Sequence, residues 1–127
     1  AYSVIYFTAA GLFDILAENT FGKRQDKDSD VFEHIYDCDL LIIDDLGTEL
    51  PNSFTVSQLF ICLNERILRQ KSTIISTNLA LDDIKTIYSE RTFSRISSNY
   101  TILRITGDDI RIQKKLLNLG GTNDVTP

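Results

Sequence analysis

Four apolar residues, Leu40-Leu41-Ile42-Ile43, run straight into two carboxylates, Asp44-Asp45, and then into Leu46-Gly47. An apolar run of this length predicts a parallel strand buried on both faces. A strand with one wet face would alternate apolar and polar residues instead. The acidic pair then stands at the strand's carboxyl end, the edge where open α/β sheets bind ligands. An Asp there can hold Mg²⁺, usually through water, because that ion sheds its hydration reluctantly. The second carboxylate can orient or deprotonate an attacking water. The plain alternative is a solvated acidic turn after a core strand.

The flanking sequence sets this strand in an alternating pattern. Ser3–Thr8 (SVIYFT) is β-branched and aromatic and predicts a strand. Ala9–Glu18 follows with Leu12, Phe13, Ile15 and Leu16 at helical spacing, and residues 19–29 read as an exposed loop. Asp30–Tyr36 predicts a short amphipathic helix. Ser53 offers an N-cap for a long helix to about Gln70, with Val56, Leu59, Phe60, Leu63, Ile67 and Leu68 on its apolar side. Ser72–Thr77 (STIIST) predicts a strand, Leu81–Tyr88 and Glu90–Ser97 two short helices, and Tyr100–Ile105 (YTILRI) a last strand. A terminal helix is expected over Asp109–Leu117, then a polar, frayed tail. Strand and helix alternation implies an α/β fold with a largely parallel sheet.

Composition narrows the function classes. The 127 residues are 43% hydrophobic and 24% charged, enough for one globular domain. A net charge of -5 argues against a whole-surface nucleic-acid binder, which needs clustered Lys and Arg, but leaves room for a local basic stripe. Cys38 and Cys62 have no partner spacing and read as buried thiols of a reducing cytoplasm. His34 has no ligand at metal spacing and reads as a helix-surface residue. No run of residues is apolar enough to span a membrane, so no membrane contact is expected. The chain contains no Met and opens directly on a strand pattern, which suggests a piece of a longer protein.

Three further groups of residues can carry chemistry. Ser76-Thr77-Asn78 ends the strand that follows the acidic one, after one intervening helix. An Asn at that place can hydrogen-bond a terminal phosphate or its attacking water, as sensor 1 does in AAA+ ATPases; a turn Asn is the alternative. Arg91 and Arg95 are four apart on one helix face, placed to solvate it or to reach a neighbouring subunit's phosphate. Arg111, in Gly107-Asp108-Asp109-Ile110-Arg111, suits either a sensor 2 contact to phosphate or a surface position after a helix cap.

The order LLIIDDLG, STNL, YSERTFSRI, GDDIR, across roughly residues 38–115, resembles the ATPase domain of bacterial helicase loaders of the DnaC/DnaI type. The resemblance implies a three-layer αβα P-loop NTPase domain of the AAA+/ASCE class over residues 1–118, truncated at its amino end, with a flexible tail over 119–127. It implies that LLIIDD is the Walker B element, with Asp44 as the Mg²⁺ residue and Asp45 in the catalytic carboxylate place. Asn78 would be sensor 1, Arg95 the arginine finger acting in trans and Arg111 sensor 2, with Arg91 matching a second family arginine. The implied cofactors are ATP and Mg²⁺. The implied partners are a replicative helicase, single-stranded DNA and further copies of the chain, with ATP between subunits.

The sequence departs from the family at two places. Asp44-Asp45 replaces the Asp-Glu of many AAA+ proteins, one methylene shorter at the catalytic position. The phosphate loop G-x-x-x-x-G-K-[ST] is absent. The string ending in Phe21-Gly22-Lys23-Arg24 is a decoy, because it lacks the Mg²⁺-binding hydroxyl and follows a helical pattern instead of a strand. The family's loop precedes the strand seen here at Ser3–Thr8, so it is expected upstream of Ala1, and the chain alone is expected to be inactive. The strand belonging to that loop lies, in the family, between the strands at Ser72–Thr77 and Tyr100–Ile105. Its absence would leave two edges, which the chain is expected to close by rearrangement or by pairing with another chain. A transposition helper ATPase of the same architecture and a non-catalytic AAA+-like interaction module are the alternatives. A receiver domain, which also carries acidic strand ends, lacks its late-strand Lys here.

Overall fold

The computed structural model describes residues 1–21 and 28–107. Its elements run β1 (Val4–Thr8), α1 (Ala9–Phe21), α2 (Asp28–Asp37), β2 (Leu40–Leu46), α3 (Ser53–Leu68), β3 (Ser72–Thr77), α4 (Leu81–Tyr88) and α5 (Glu90–Asn99). The strands form one parallel sheet in the order β1-β2-β3. Parallel neighbours need crossover connections, and these are helical: α1 and α2 join β1 to β2, and α3 joins β2 to β3.

The strand order decides which face is covered. Each crossover is right-handed by preference, and both step in the same direction across the sheet, so both deliver their helices to one face. All five helices accordingly bury side chains in a single core with Leu41 and Ile43 of β2. They include Leu12 and Leu16 of α1, Ile35 of α2, Leu59 and Leu63 of α3, Ile84 and Tyr88 of α4, and Ile96 of α5. Full burial of a Leu or Ile contributes roughly 1.5–3 kcal/mol, which makes this core the main source of stability. The opposite face carries Val4, Tyr6 and Ile74, each more than half exposed, with Leu40 and Ile42 half-buried between them. The expectation of a strand buried on both faces is therefore corrected: β2 is covered on one face by the described helices, and Leu40 and Ile42 look out of the other.

Several local expectations shift with the backbone. Helix α3 is capped by Asn52 rather than Ser53, because Asn52 Oδ1 accepts from the Thr55 N–H at 2.8 Å. It ends at Leu68, two residues early, where Gln70 turns left-handed (φ 57°) and the Lys71 N–H reaches back to the Arg66 carbonyl at 2.9 Å. Its buried side includes Arg66, while Leu68 is 69% exposed. The Arg66 guanidinium donates to Thr73 Oγ1, to the Ile35 and Ser72 carbonyls, and to Cys38 Sγ, and so ties α2, α3 and β3 together from inside. Both cysteines are free and buried, and burial pushes the Cys62 thiol up to about 12. His34 is exposed on α2.

The last strand is the largest correction. Residues 100–106 are not a strand: Tyr100 is half-buried, and everything from 101 to 107 is exposed. A strand requires a partner for its backbone N–H and C=O groups, and among the described residues no strand lies beside this segment or beside the outer edge of β3. Among the described residues, then, no rearrangement closes the gap. Of the expected loop over 19–29, the first residues continue α1 and the last begin α2, while 22–27 lie outside the described residues. The expected helix over 109–117 and the tail lie there too. No helix among the described residues is long and apolar enough to cross a membrane.

Candidate functional site at the carboxyl end of the sheet

The acidic pair sits on a β-bulge. Ile43 pairs with Ile75 and Leu46 with Thr77, so β2 advances three residues while β3 advances two. Asp45 takes the strain of the extra residue at φ 57°, a left-handed conformation that Asp tolerates better than most side chains. The bulge has a chemical consequence. Successive residues of a regular strand point to opposite faces. Here Ile43 and Leu46 both enter the core, fully buried, and Asp44 and Asp45 are both left outside it.

Asp44 is held from both neighbouring strands. Tyr6, diagonally placed on β1, donates its hydroxyl to Asp44 Oδ2 at 2.5 Å. Ser76 of β3 donates its hydroxyl to Asp44 Oδ1, and Ser76 Oγ in turn accepts the Asp45 N–H at 3.0 Å. The Ser76 bond, followed by that of Tyr6, holds the Asp44 carboxyl below the usual carboxylate range. The Asp44 hydrogen bond pushes Tyr6 above its ordinary value in return. Asp45 is exposed, and its carboxylate takes no hydrogen bond or ion pair among the described residues. The turn beyond is pinned by Thr48, whose N–H and hydroxyl both donate to the Asp45 carbonyl. Gly47, at φ 106°, lies against Leu79, whose side chain occupies the place a Cβ would take.

Asn78 follows directly on β3 at the same end of the sheet, exposed. Thr77 sets its turn by donating to the Leu46 carbonyl at 2.6 Å and accepting the Leu79 N–H at 3.1 Å. The structure thus brings Asp44, Asp45 and Asn78 together at adjacent strand ends. It does not bring Arg95 to them. Arg95 and Arg91 lie exposed on α5, over the Phe60 ring of α3 at 5.8 and 4.3 Å, and Arg95 Nε donates to Asn64 Oδ1 at 3.1 Å. Neither arginine pairs with Asp44 or Asp45. Arg111 lies outside the described residues. Tyr6, Ser76 and Thr77 are the site residues that motif reading missed or passed over.

The donors fit a hard cation. Oxygen alone lines the Asp44 site, and no group of three or more His, Cys, Asp or Glu among the described residues could cage a metal. That suits Mg²⁺, which keeps several waters and takes one or two carboxylates with substrate phosphates instead of an all-protein cage.

The model of the IstB-like ATP-binding proteins matches residues 1–118. The chain belongs to this family. No curated protein matches it by sequence. Among solved structures, the IstB-like chain is similar to the DnaC helicase loader (24% identity, TM-score 0.69), with 82% of the chain and 61% of the loader covered. It is also similar to the replication initiator DnaA bound to AMPPCP and single-stranded DNA (21%, TM-score 0.71), with 95% of the chain and 37% of DnaA covered. AMPPCP-bound DnaA from Aquifex aeolicus is similar too (22%, TM-score 0.65; 95% and 38% covered). At these identities the likeness establishes the fold, an α/β domain whose parallel sheet matches the αβα layout of those P-loop NTPase neighbours, the described helices forming the layer on one face of the sheet. The chain spans less than two thirds of each of these structures.

Proposed function

We propose that this chain is the catalytic-side portion of a helicase-loader ATPase, residues 1–118 forming the partial AAA+ domain. The observation that carries the reading is the meeting of Asp44, Asp45 and Asn78 at the carboxyl ends of adjacent parallel strands, in an ATP-binding family. Asp44 would hold Mg²⁺ through water, and Mg²⁺ bound there supplies charge neutralisation at the phosphates. Asp45, exposed on the bulge, would orient the attacking water and draw its proton. Asn78 would hydrogen-bond that water or the terminal phosphate. Arg95 would reach a neighbouring subunit's ATP, its exposed place on α5 suiting a contact in trans. Arg111 would contact phosphate in its own subunit. A cytoplasmic protein that oligomerises and acts on a replicative helicase and single-stranded DNA is the corresponding biological setting. The likeness to the DnaC loader supports that setting, while the IstB-like family match favours a transposition helper ATPase as the second reading.

Phosphate binding needs backbone N–H groups and a Lys from a loop that these 127 residues do not contain. The test is Mg-ATP affinity by calorimetry, on this chain and on one extended upstream. Binding by the extended chain alone, with turnover abolished by Asp44→Ala, is the expected result. No binding by either sinks the ATPase reading in favour of an interaction module.

A further inference from the structure

The hydroxyls of Tyr6 and Ser76 have no part in the reading above, yet they occupy both oxygens of its central carboxylate. We propose that Tyr6 and Ser76 are positioning residues that fix Asp44 for a divalent cation, an inference that rests on the reading of Asp44 as the Mg²⁺ residue.

An exposed Asp at a strand end has free rotation about two side-chain bonds, and holding it still costs entropy each time a ligand arrives. Here that freedom is already spent. Tyr6 holds Oδ2 from β1 and Ser76 holds Oδ1 from β3. The carboxylate is thus tethered to both neighbours of its own strand, and the sheet register itself sets its position. One hydrogen bond to each oxygen leaves further lone pairs, and these are what metal-bound water needs. Ser76 does a second job with the same atom. By accepting the Asp45 N–H it fastens the extra residue of the bulge, so one hydroxyl sets the spacing of the two carboxylates. Neither tether is needed for the core: Tyr6 is 56% exposed, and Ser76 is exposed on the same uncovered face. Partners that orient a metal-binding carboxylate typically carry about 10–100-fold in metal affinity.

Mn²⁺, a paramagnetic stand-in for Mg²⁺, tests this in the chain itself. The readout is broadening of backbone amide signals as Mn²⁺ is added, which needs neither ATP nor turnover. In the wild type, broadening centred on Asp44 and Asp45 is expected, and Asp44→Asn should remove it. Tyr6→Phe and Ser76→Ala should each raise the Mn²⁺ concentration for half-broadening by about tenfold or more. Ser76→Thr, which keeps the hydroxyl, should restore it, a rescue that a bulk effect on stability would not produce. Dispersed amide spectra establish that each variant is folded, and Tyr6→Phe carries the test if Ser76→Ala unfolds the chain. If Asp44→Asn removes the broadening while Tyr6→Phe and Ser76→Ala leave the midpoint unchanged, the positioning role is wrong and the metal reading stands. If the wild type shows no broadening at Asp44, or Asp44→Asn leaves it intact, the metal reading itself fails and the positioning role falls with it.

Discussion

At the amino-terminal rim of the sheet, Asp39 does for the backbone what Asp44 does at the other end. Its Oδ2 accepts the Ser3 N–H at 2.8 Å and the Ser3 hydroxyl at 3.2 Å, and Lys71 stands 3.8 Å from Oδ1. The backbone bond from Ser3 comes first in holding Asp39 below its ordinary 3.8, with Lys71 and the buried Arg66 adding attraction. Glu33 is held below 4.5 chiefly by its hydrogen bond from Arg69. Depressed carboxyls add stability above their unfolded values and lose it as pH falls through the lower folded values. The urea midpoint should therefore drop from pH 5 to pH 3, and the double variant Asp39→Asn, Glu33→Gln should flatten that drop. An unchanged slope in the double variant would place the acid sensitivity elsewhere. At this scale the candidate residues are more legible in the sequence than the groups that hold them. Asp44, Asp45 and Asn78 stand out because strand ends and residue types are local facts. Tyr6 does not, because its part depends on the register of β1 against β2, which no local pattern encodes. Ser76 stands in the same motif as Asn78, but only its place beside Asp44 gives it a role.

Helix α3 shows why an element's place is legible while its ends and its buried face are not. Apolar spacing places the helix, yet the buried positions include Arg66 and Thr55, while Leu68 faces water. A charged residue at helical spacing reads as surface unless its partners are known, and the partners of Arg66 come from α2 and β3. Burying a guanidinium is tolerable here because four acceptors meet it, although none of them is a carboxylate. Arg66→Ala should cost about 3 kcal/mol or more, since it opens a cavity and strands the Ile35 and Ser72 carbonyls. Arg66→Lys should recover little, because an ammonium cannot span the same fork of acceptors. Urea denaturation of the two variants measures both. A loss under about 1 kcal/mol for Arg66→Ala would mean that water satisfies those carbonyls unaided.

For the whole molecule, the alternation of strand and helix in the sequence was enough to give a parallel α/β fold, but not to give its exposure. Whether the Leu40–Ile43 run is covered on one face or two depends on where crossovers step, and that is a property of strand order. Steps in one direction leave one face bare. To cover the second face, a connection must step the other way across the sheet or another chain must supply the cover. Among the described residues, Val4, Tyr6 and Ile74 stand exposed on the face that no helix covers, the outer edge of β3 is unpaired, and Ile102, Leu103 and Ile105 project from the unpaired segment after α5. A bare apolar face and an open strand edge together favour association. The chain should therefore self-associate as its concentration rises in sedimentation runs. Ile74→Lys, which puts a charge on the bare face of the edge strand, should shift it towards monomer while leaving the helical core intact by circular dichroism. A wild-type chain that stays monomeric at high concentration would mean that the twist of a three-stranded sheet, with water on its bare face, is protection enough.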